Sequence, residues 1–568
     1  MVDVTDLHRS PIFQLAHDIV ERDAQRDPLF ATGAGIPGSD HLLPDYSPAG
    51  SRATVTALRD ELDRVEELTP RDDIDRVAQE ILRERLNSRL ELAESGESAR
   101  IFSVLWSPLT EIRQGCELMS VASAQDVVTV GQRLSAVAPA LDGWRITIQE
   151  LVDRDQLPPR RHVVGVGEQA ATFAEGGFNA VLDRIHLETG FDVTAQRPSA
   201  QAAEAACREL SEWLVRDIAP RAGVQDACGA ERYQKWARSY TGATLDLGEL
   251  YQWGYADLQR INKRMWEIAG EITPAAQSLM EVADFLDNDE SRLIVGTDAL
   301  LERLVSFTQQ AINDLDGVHF DIDPRIRTCD ARLAPEGSGA AAYYIGPSED
   351  LSRPGTTWFP TMGKTSFPWW RSVSTWYHEG VPGHHLQSAT AIIERDRQSR
   401  FQRLEGWMSG YGEGWALYAE RLMNELGYFS DPGDEMGHLS DQALRAARIV
   451  VDIGMHLELT APDSIGVLGE LGECGGRVWD ADMAVALLRE WAIVDDVMAR
   501  SEVDRYLGNP GQAISYKVGE RVWVRARQEA HERWGDSFSL KRFHAHALAL
   551  GPMGLDAFEE EMKRWDGN

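Results

Sequence analysis

Positive charge and cysteine are scarce in this 568-residue chain. Its 57 Lys and Arg face 91 Asp and Glu, for a formal net charge of −34. A surface of that sign repels phosphate backbones and anionic headgroups, so neither nucleic acid nor a membrane is an expected partner. The five cysteines, Cys116, Cys207, Cys228, Cys329 and Cys474, stand singly without C-x-x-C spacing. Neither a disulfide framework nor a thiolate metal site is expected, and a reducing compartment, the cytoplasm, fits. No stretch approaches the roughly 18 uncharged apolar residues of a membrane span, and MVDVTDLHRSPIFQLAHDIV lacks the basic-then-apolar order of a secretory leader. Repeats, low-complexity tracts and a G-x-S-x-G elbow are all missing, so a solenoid and a serine hydrolase have no support. The sequence carries no prediction of an oligomer.

Helical signal is plentiful. Leu58, Leu62, Val65 and Leu68 recur at three- and four-residue steps, Ile74, Val77 and Ile81 resume after Thr69-Pro70, and Leu250, Gly254, Leu258, Ile261 and Met265 mark a long amphipathic helix behind Thr244 and Asp246. Strand-like text is confined mainly to residues 318–360, where VHFDI, AAAYYIG and TTWF lie between Pro and Gly turns, so one small sheet is expected. The fold class is therefore mainly α. Residues 31–52, dense in Gly, Pro, Ser and Asp, read as an irregular strap. The expected organisation is an N-terminal helical segment 1–30, a helical lobe 31–330, and a lobe 331–568 holding the small sheet and the candidate site. Two motifs are decoys. Gly165, Gly167 and Ala170, with Asp183 downstream, imitate a dinucleotide fingerprint but lack the alternating strands and helices. Gly363-Lys364-Thr365 imitates a phosphate loop whose leading glycine is replaced by Trp358.

Chemistry concentrates at residues 378–385, HEGVPGHH, which hold three of the fourteen histidines. His followed by Glu sets a neutral imidazole ligand beside a carboxylate that can act as general base, the pairing of zinc hydrolases. In H-E-x-x-H the second imidazole stands one turn on, whereas His378 and His384 are six residues apart. At ~100° per residue that places them about 240° apart on a straight helix. Pro382 removes an N–H, and with Gly380 and Gly383 it permits a bulge or break that returns His384 to the ligand position. His385 is the alternative ligand: it is nearly back on the face of His378, but displaced by a rise of roughly 10 Å. A third ligand leaves the fourth position for water. Glu413 and Glu420, seven apart on one helical face in EGWALYAE, supply a ligand and a group that orients an imidazole or an arginine.

HEGVPGHHLQ followed by EGWALYAE resembles the bacterial family catalogued as domain of unknown function 885, which is similar in fold to Taq-type carboxypeptidases of the zincin metallopeptidases. LPDYSP near 43, GAERYQKWARSYTG near 229, AYYIGPSEDLSRPG near 342, RIVVDIGMH near 448 and EVDRYLGNPGQAISYKVG near 502 extend the resemblance over most of the chain. In Taq-type and oligopeptidase-type relatives the motif reads H-E-x-G-H-x-L, which residues 383–386 fit once two residues are inserted, and a ligand Glu is followed by a second Glu seven residues on. The resemblance implies two lobes around a deep, narrow cleft that takes short or unfolded peptides.

The expected function is a zinc-dependent hydrolase, a peptidase, with one zinc ion on His378, His384 and Glu413. Glu379 is the expected general base, and Tyr516 or His456 the expected oxyanion donor. Arg448, Asp452 and His456 step by four along an apolar run, and either pair internally or hold the site and its substrate. Tyr516 and Lys517 follow the Asn509-Pro510-Gly511 turn. Tyr343 and Tyr344 could line an edge strand that pairs with an extended peptide, although packing is the commoner role for such a pair. Two other readings remain: a metal-free helical binding protein that keeps the scaffold, and a metal hydrolase of another amide or ester.

Overall fold

The structure is a computed structural model that describes residues 9–334, 341–348 and 351–567. Helices account for 69% of it, as the three- and four-residue periodicity requires. Among the described residues no helix is long and apolar enough to cross a membrane.

The chain divides into two compact units, residues 1–227 with 507–509 and residues 228–506 with 510–568. The boundary expected at 330 is therefore displaced. Leu300 and Leu304 share one apolar cluster with Ala331, Phe367 and Trp376, so the chain on both sides of 330 belongs to one core. The boundary expected at 30 falls inside the helix Pro28–Gly33, which Asp27 caps by accepting the N–H groups of Leu29 and Phe30. The irregular strap is also shorter than 31–52. Ser47 caps the helix Pro48–Glu66, and Pro48 stands at its first position, where a missing N–H is harmless.

In the first unit the helices Ala124–Asp153, Arg160–Ala174 and Arg197–Trp213 pack around Leu134, Trp144, Val166, Phe178 and Leu210, all almost fully buried. Gly165 and Gly167 lie mid-helix, and Gly167 faces Leu214 and Val215. Gly167 serves helix contact and no strand–turn–helix surrounds the pair, so the dinucleotide reading has no structural basis.

The second unit carries the candidate site. Its long helix Leu247–Ile272 lies along Pro432–His456, and Gly254 lets the two approach: a Cβ there would stand 2.5 Å from Ile449 Cγ2. The helix Ser409–Glu425 packs against Ser515–Trp534 with backbone on backbone, since a Cβ on Gly519 would stand 2.6 Å from Gly414 Cα and closer still to the Gly410 carbonyl. Neither neighbour is a flexible side chain. Gly519→Ala is accordingly expected to destabilise the protein by about 3 kcal/mol or more, read as a lowered melting temperature; an unchanged melt would show that the helices separate freely.

Among the described residues the strands form two small sheets. In the first, Gly355–Phe359 is central, parallel to Cys329–Leu333 and antiparallel to the edge strand Tyr343–Ile345. Outside the expected window, Leu293–Val295 pairs antiparallel with Ser366–Pro368. VHFDI is a turn instead of a strand: the N–H groups of His319 and Phe320 both bond Leu315 O, and Asp316 accepts from the Ile322 N–H. Its apolar residues Phe320 and Ile322 are buried from that turn. Part of AAAYYIG lies outside the described residues.

Candidate metal centre

The break in HEGVPGHH is a change from one helix to another. The helix Val373–Glu379 ends when the Gly380 N–H bonds Trp376 O, and a new helix, His384–Ile393, starts after Gly383. Between them the Gly383 N–H reaches back to Tyr377 O and the His385 N–H to Gly380 O. A side chain at 383 is excluded, because its Cβ would meet the carbonyls of Tyr377 and His378. The fold-back sets the His378 and His384 rings 4.8 Å apart and nearly perpendicular.

Glu413, one turn into Ser409–Glu425, meets both imidazoles. Its Oε2 stands 3.2 Å from His378 Nε2 and 3.4 Å from His384 Nε2, and one donor atom from each of the three residues lies within 4.8 Å of the others. Bonds of about 2.0–2.1 Å at tetrahedral angles put neighbouring donors roughly 3.4 Å apart. The donor set therefore fits a zinc-sized divalent cation in chemistry, and both separations from Glu413 match that spacing.

Glu420 is fully buried, and its Oε1 stands 2.7 Å from His378 Nδ1. By accepting that N–H it fixes the ring with Nε2 facing Glu413 and His384: in the protonated imidazole Nε2–H donates to Glu413, and a bound cation would take the place of that proton. Its other oxygen accepts from the Ser374 hydroxyl at 2.5 Å, and Ser374 Oγ lies 3.1 Å from His438 Nδ1. Burial by itself would depress the His378 imidazole, but hydrogen bonds to Glu413 and Glu420 outweigh it and hold the group up at about 10. Glu413 and Glu420 stay ionised: burial opposes it, yet the imidazoles hold both carboxyls well below the usual range. The proton that His378 holds between these carboxylates and a cation bound at Nε2 would therefore compete. Glu379, 8% exposed, is raised chiefly by burial, against the pull of His378 and His384.

The alternative ligand His385 turns away. Its Nε2 donates to Ile326 O at 2.8 Å and its Nδ1 accepts from the Tyr344 hydroxyl at 3.0 Å, so both ring nitrogens are committed elsewhere. Tyr344 is thus a support for His385, and Tyr343 stacks on Trp358 at 6.0 Å. Tyr516 does reach the site: its ring lies 6.3 Å from the His378 ring at an interplanar angle of 20°. The Arg448 guanidinium sits 4.7 Å from the Tyr516 ring centroid and that of Arg445 6.0 Å. Arg448 pairs with Glu502 and contacts the Tyr506 hydroxyl, while Arg445 pairs with Asp441.

Three expected site residues belong to the frame instead. His456 is fully buried, accepts from the Cys228 N–H through Nδ1 and donates to Tyr506 O through Nε2, so it has no spare donor for an oxyanion. Lys517 is also fully buried; its ammonium bonds Gln442 and Glu520 and stands 3.1 Å from Asp257, which ties its helix to Pro432–His456 and Leu247–Ile272. Asp452 accepts from the Tyr233 hydroxyl and the Gly511 N–H, and its Oδ1 faces His456 Nε2 at 3.6 Å. Burial pushes the Asp452 carboxyl from its ordinary 3.8 up to about 7, against smaller opposing effects of the Tyr233 and Gly511 hydrogen bonds, Arg505 and Arg448.

That shift has a sign. Between pH 4 and 7 the folded chain keeps a proton at Asp452 that the unfolded chain releases, so stability is lost as pH rises through that window. Asn cannot titrate and keeps an acceptor for Tyr233 and Gly511. Asp452→Asn is expected to gain on the wild type as pH goes from 5 to 8, on the order of 2–4 kcal/mol. Melting curves at both pH values check this, and a constant difference between the two proteins would refute it.

Ser374, His438, Arg445 and Trp407 escaped the sequence reading. Ser374 lies four residues before His378 and Arg445 three before Arg448, spacings that share a helical face and could have found them. His438 and Trp407 have no local signal, since only the fold brings them to the site. Trp407 is half-exposed, with its ring 6.0 Å from that of His384.

Solved structures resemble nearly the whole chain, two of them as follows. A protein from Colwellia psychrerythraea described as a "putative lipoprotein" superposes with a TM-score of 0.81 at 20% identity, covering 98% of each chain. A "putative lipoprotein of unknown function" from Shewanella oneidensis gives 0.75 at 18% identity, covering 98% of this chain and 100% of that one. At such identities the likeness is one of fold. No curated protein matches the chain. A family model matches residues 28–562, nearly the full length, and the chain belongs to that family, the bacterial proteins of unknown function DUF885.

Proposed function

We propose that this protein is a zinc-dependent hydrolase, and that its substrates are short or unfolded peptides. The observation that carries the reading is the convergence of His378 Nε2, His384 Nε2 and Glu413 Oε2 on one point, with Glu379 next in the chain to the first of them. A divalent cation held there supplies a Lewis acid that polarises a carbonyl and lowers the pKa of water. Glu379 is the carboxylate placed to take the proton of the attacking water and to return it to the departing amine. Glu420 fixes the tautomer and angle of His378, and Ser374 and His438 fix Glu420. Tyr516 is the hydroxyl available to the developing oxyanion. It remains protonated, its pKa pushed up to about 12, chiefly by burial, and Arg445 and Arg448 hold a positive field over its ring.

The resemblance to Taq-type carboxypeptidases supports peptide bonds over other amides. Metal analysis of the full-length protein after gentle purification and supply of zinc is the direct test, paired with mass spectrometry of a mixed peptide pool. One zinc per chain and cleaved peptides are expected. A chain that takes up no stoichiometric metal would be a scaffold without its chemistry. A zinc-loaded chain that leaves every peptide intact and hydrolyses an ester or another amide would move the substrate class.

A further inference from the structure

The sequence holds 17 tryptophans, and Trp407 is 50% exposed beside the metal centre. It stands in the short link between the helices Arg400–Glu405 and Ser409–Glu425. The link is fastened on both sides: the Gly406 N–H bonds Gln402 O and Phe401 O, and Met408 is buried to 1% exposure. From there the indole reaches over the first turn of the next helix. A Cβ on Gly412 would stand 2.6 Å from Trp407 Cζ2 and 2.7 Å from Cζ3. Only glycine leaves room for the six-membered ring at that position, and the next residue is Glu413. The indole centroid is also 6.0 Å from that of the His384 ring, inclined at 56°.

An aromatic plane thus stands against the backbone beside Glu413 and near the ring of His384, in a residue that is half exposed. Indole surface is costly to leave in water, and an apolar group laid on it gains both area burial and ring contact. Among the described residues the packing leaves Trp407 50% exposed to receive such a group. We propose that Trp407 forms the wall of a substrate subsite that takes an apolar, preferably aromatic, side chain next to the bond to be cleaved, with Gly412 as the residue that seats the indole. This inference rests on the hydrolase reading for the word "cleaved", but the binding surface it describes exists without the metal.

The test uses the full-length chain in two arms. In the first, metal-free protein is probed by saturation-transfer NMR with N-acetyl-phenylalanine amide and N-acetyl-glycine amide. Saturation of the phenyl protons is expected in the wild type, at least fivefold weaker in Trp407→Ala and in Gly412→Ala, which displaces the ring without removing it, and partly retained in Trp407→Phe. In the second arm zinc-loaded protein cleaves two alanine-based peptides that differ by one Phe or Gly. Trp407→Ala is expected to reduce the Phe-over-Gly ratio of kcat/KM ~10-fold, mainly through KM, the size of one lost aromatic contact. Equal saturation in wild type and Trp407→Ala overturns the subsite, as do its absence from the wild type and an unchanged cleavage ratio. Saturation that depends on Trp407 in a protein that cleaves nothing leaves the subsite standing and removes the hydrolase. Circular dichroism melts of all three variants separate loss of binding from loss of fold.

Discussion

Glu379→Gln is expected to lower kcat by roughly 10²–10⁴-fold while zinc stays bound at one per chain. Gln keeps the shape of Glu379 and loses only the ability to accept a proton. Glu379 lies outside the donor set, which His378, His384 and Glu413 complete, so metal content does not depend on it. Stability does not fall either. Burial already opposes ionisation at 379, and a neutral amide removes that cost. The combination of a dead enzyme, a full metal site and an unchanged or higher melting temperature identifies a general base, because a structural residue would move the melt. Cleavage at the wild-type rate would remove Glu379 from the mechanism.

The second large effect separates two adjacent histidines. His384→Ala is expected to weaken zinc on the order of 10³-fold or more, since it deletes one of three protein donors. His385→Ala should leave zinc affinity near the wild-type value, because the His385 ring is committed to Ile326 O and the Tyr344 hydroxyl. Between these extremes, Glu420→Gln should cost 10–100-fold, the usual penalty for loosening a ligand's support. Competition against a chromophoric chelator measures all three on one scale. A protein in which His385→Ala loses the metal and His384→Ala keeps it would reverse the assignment.

The helical fold and the meeting of His378, His384 and Glu413 were legible in the residue pattern for local reasons. A step of six residues from His378 to His384 cannot bring both rings to one face of a straight helix, and Gly380, Pro382 and Gly383 are the residues that permit a break. Glu413 and Glu420 share a face whatever surrounds them. What local pattern could not reveal was set by partners far along the chain. His385 is taken up by Ile326, 59 residues before it, and His456 by Cys228 and Tyr506. VHFDI alternates like a strand but is claimed by the carbonyl of Leu315 as a turn. The division at 227/228 instead of 330 has the same origin, since composition does not report that Leu304 packs against Trp376.

The glycine contact between Ser409–Glu425 and Ser515–Trp534 bears on how such a protein diverges. Gly410 and Gly414 meet Gly519 main chain to main chain, so the separation of Glu413 from Tyr516 is set by the thickness of two polypeptide backbones and not by the bulk of intervening side chains. Core residues elsewhere can be exchanged over many generations without changing that spacing.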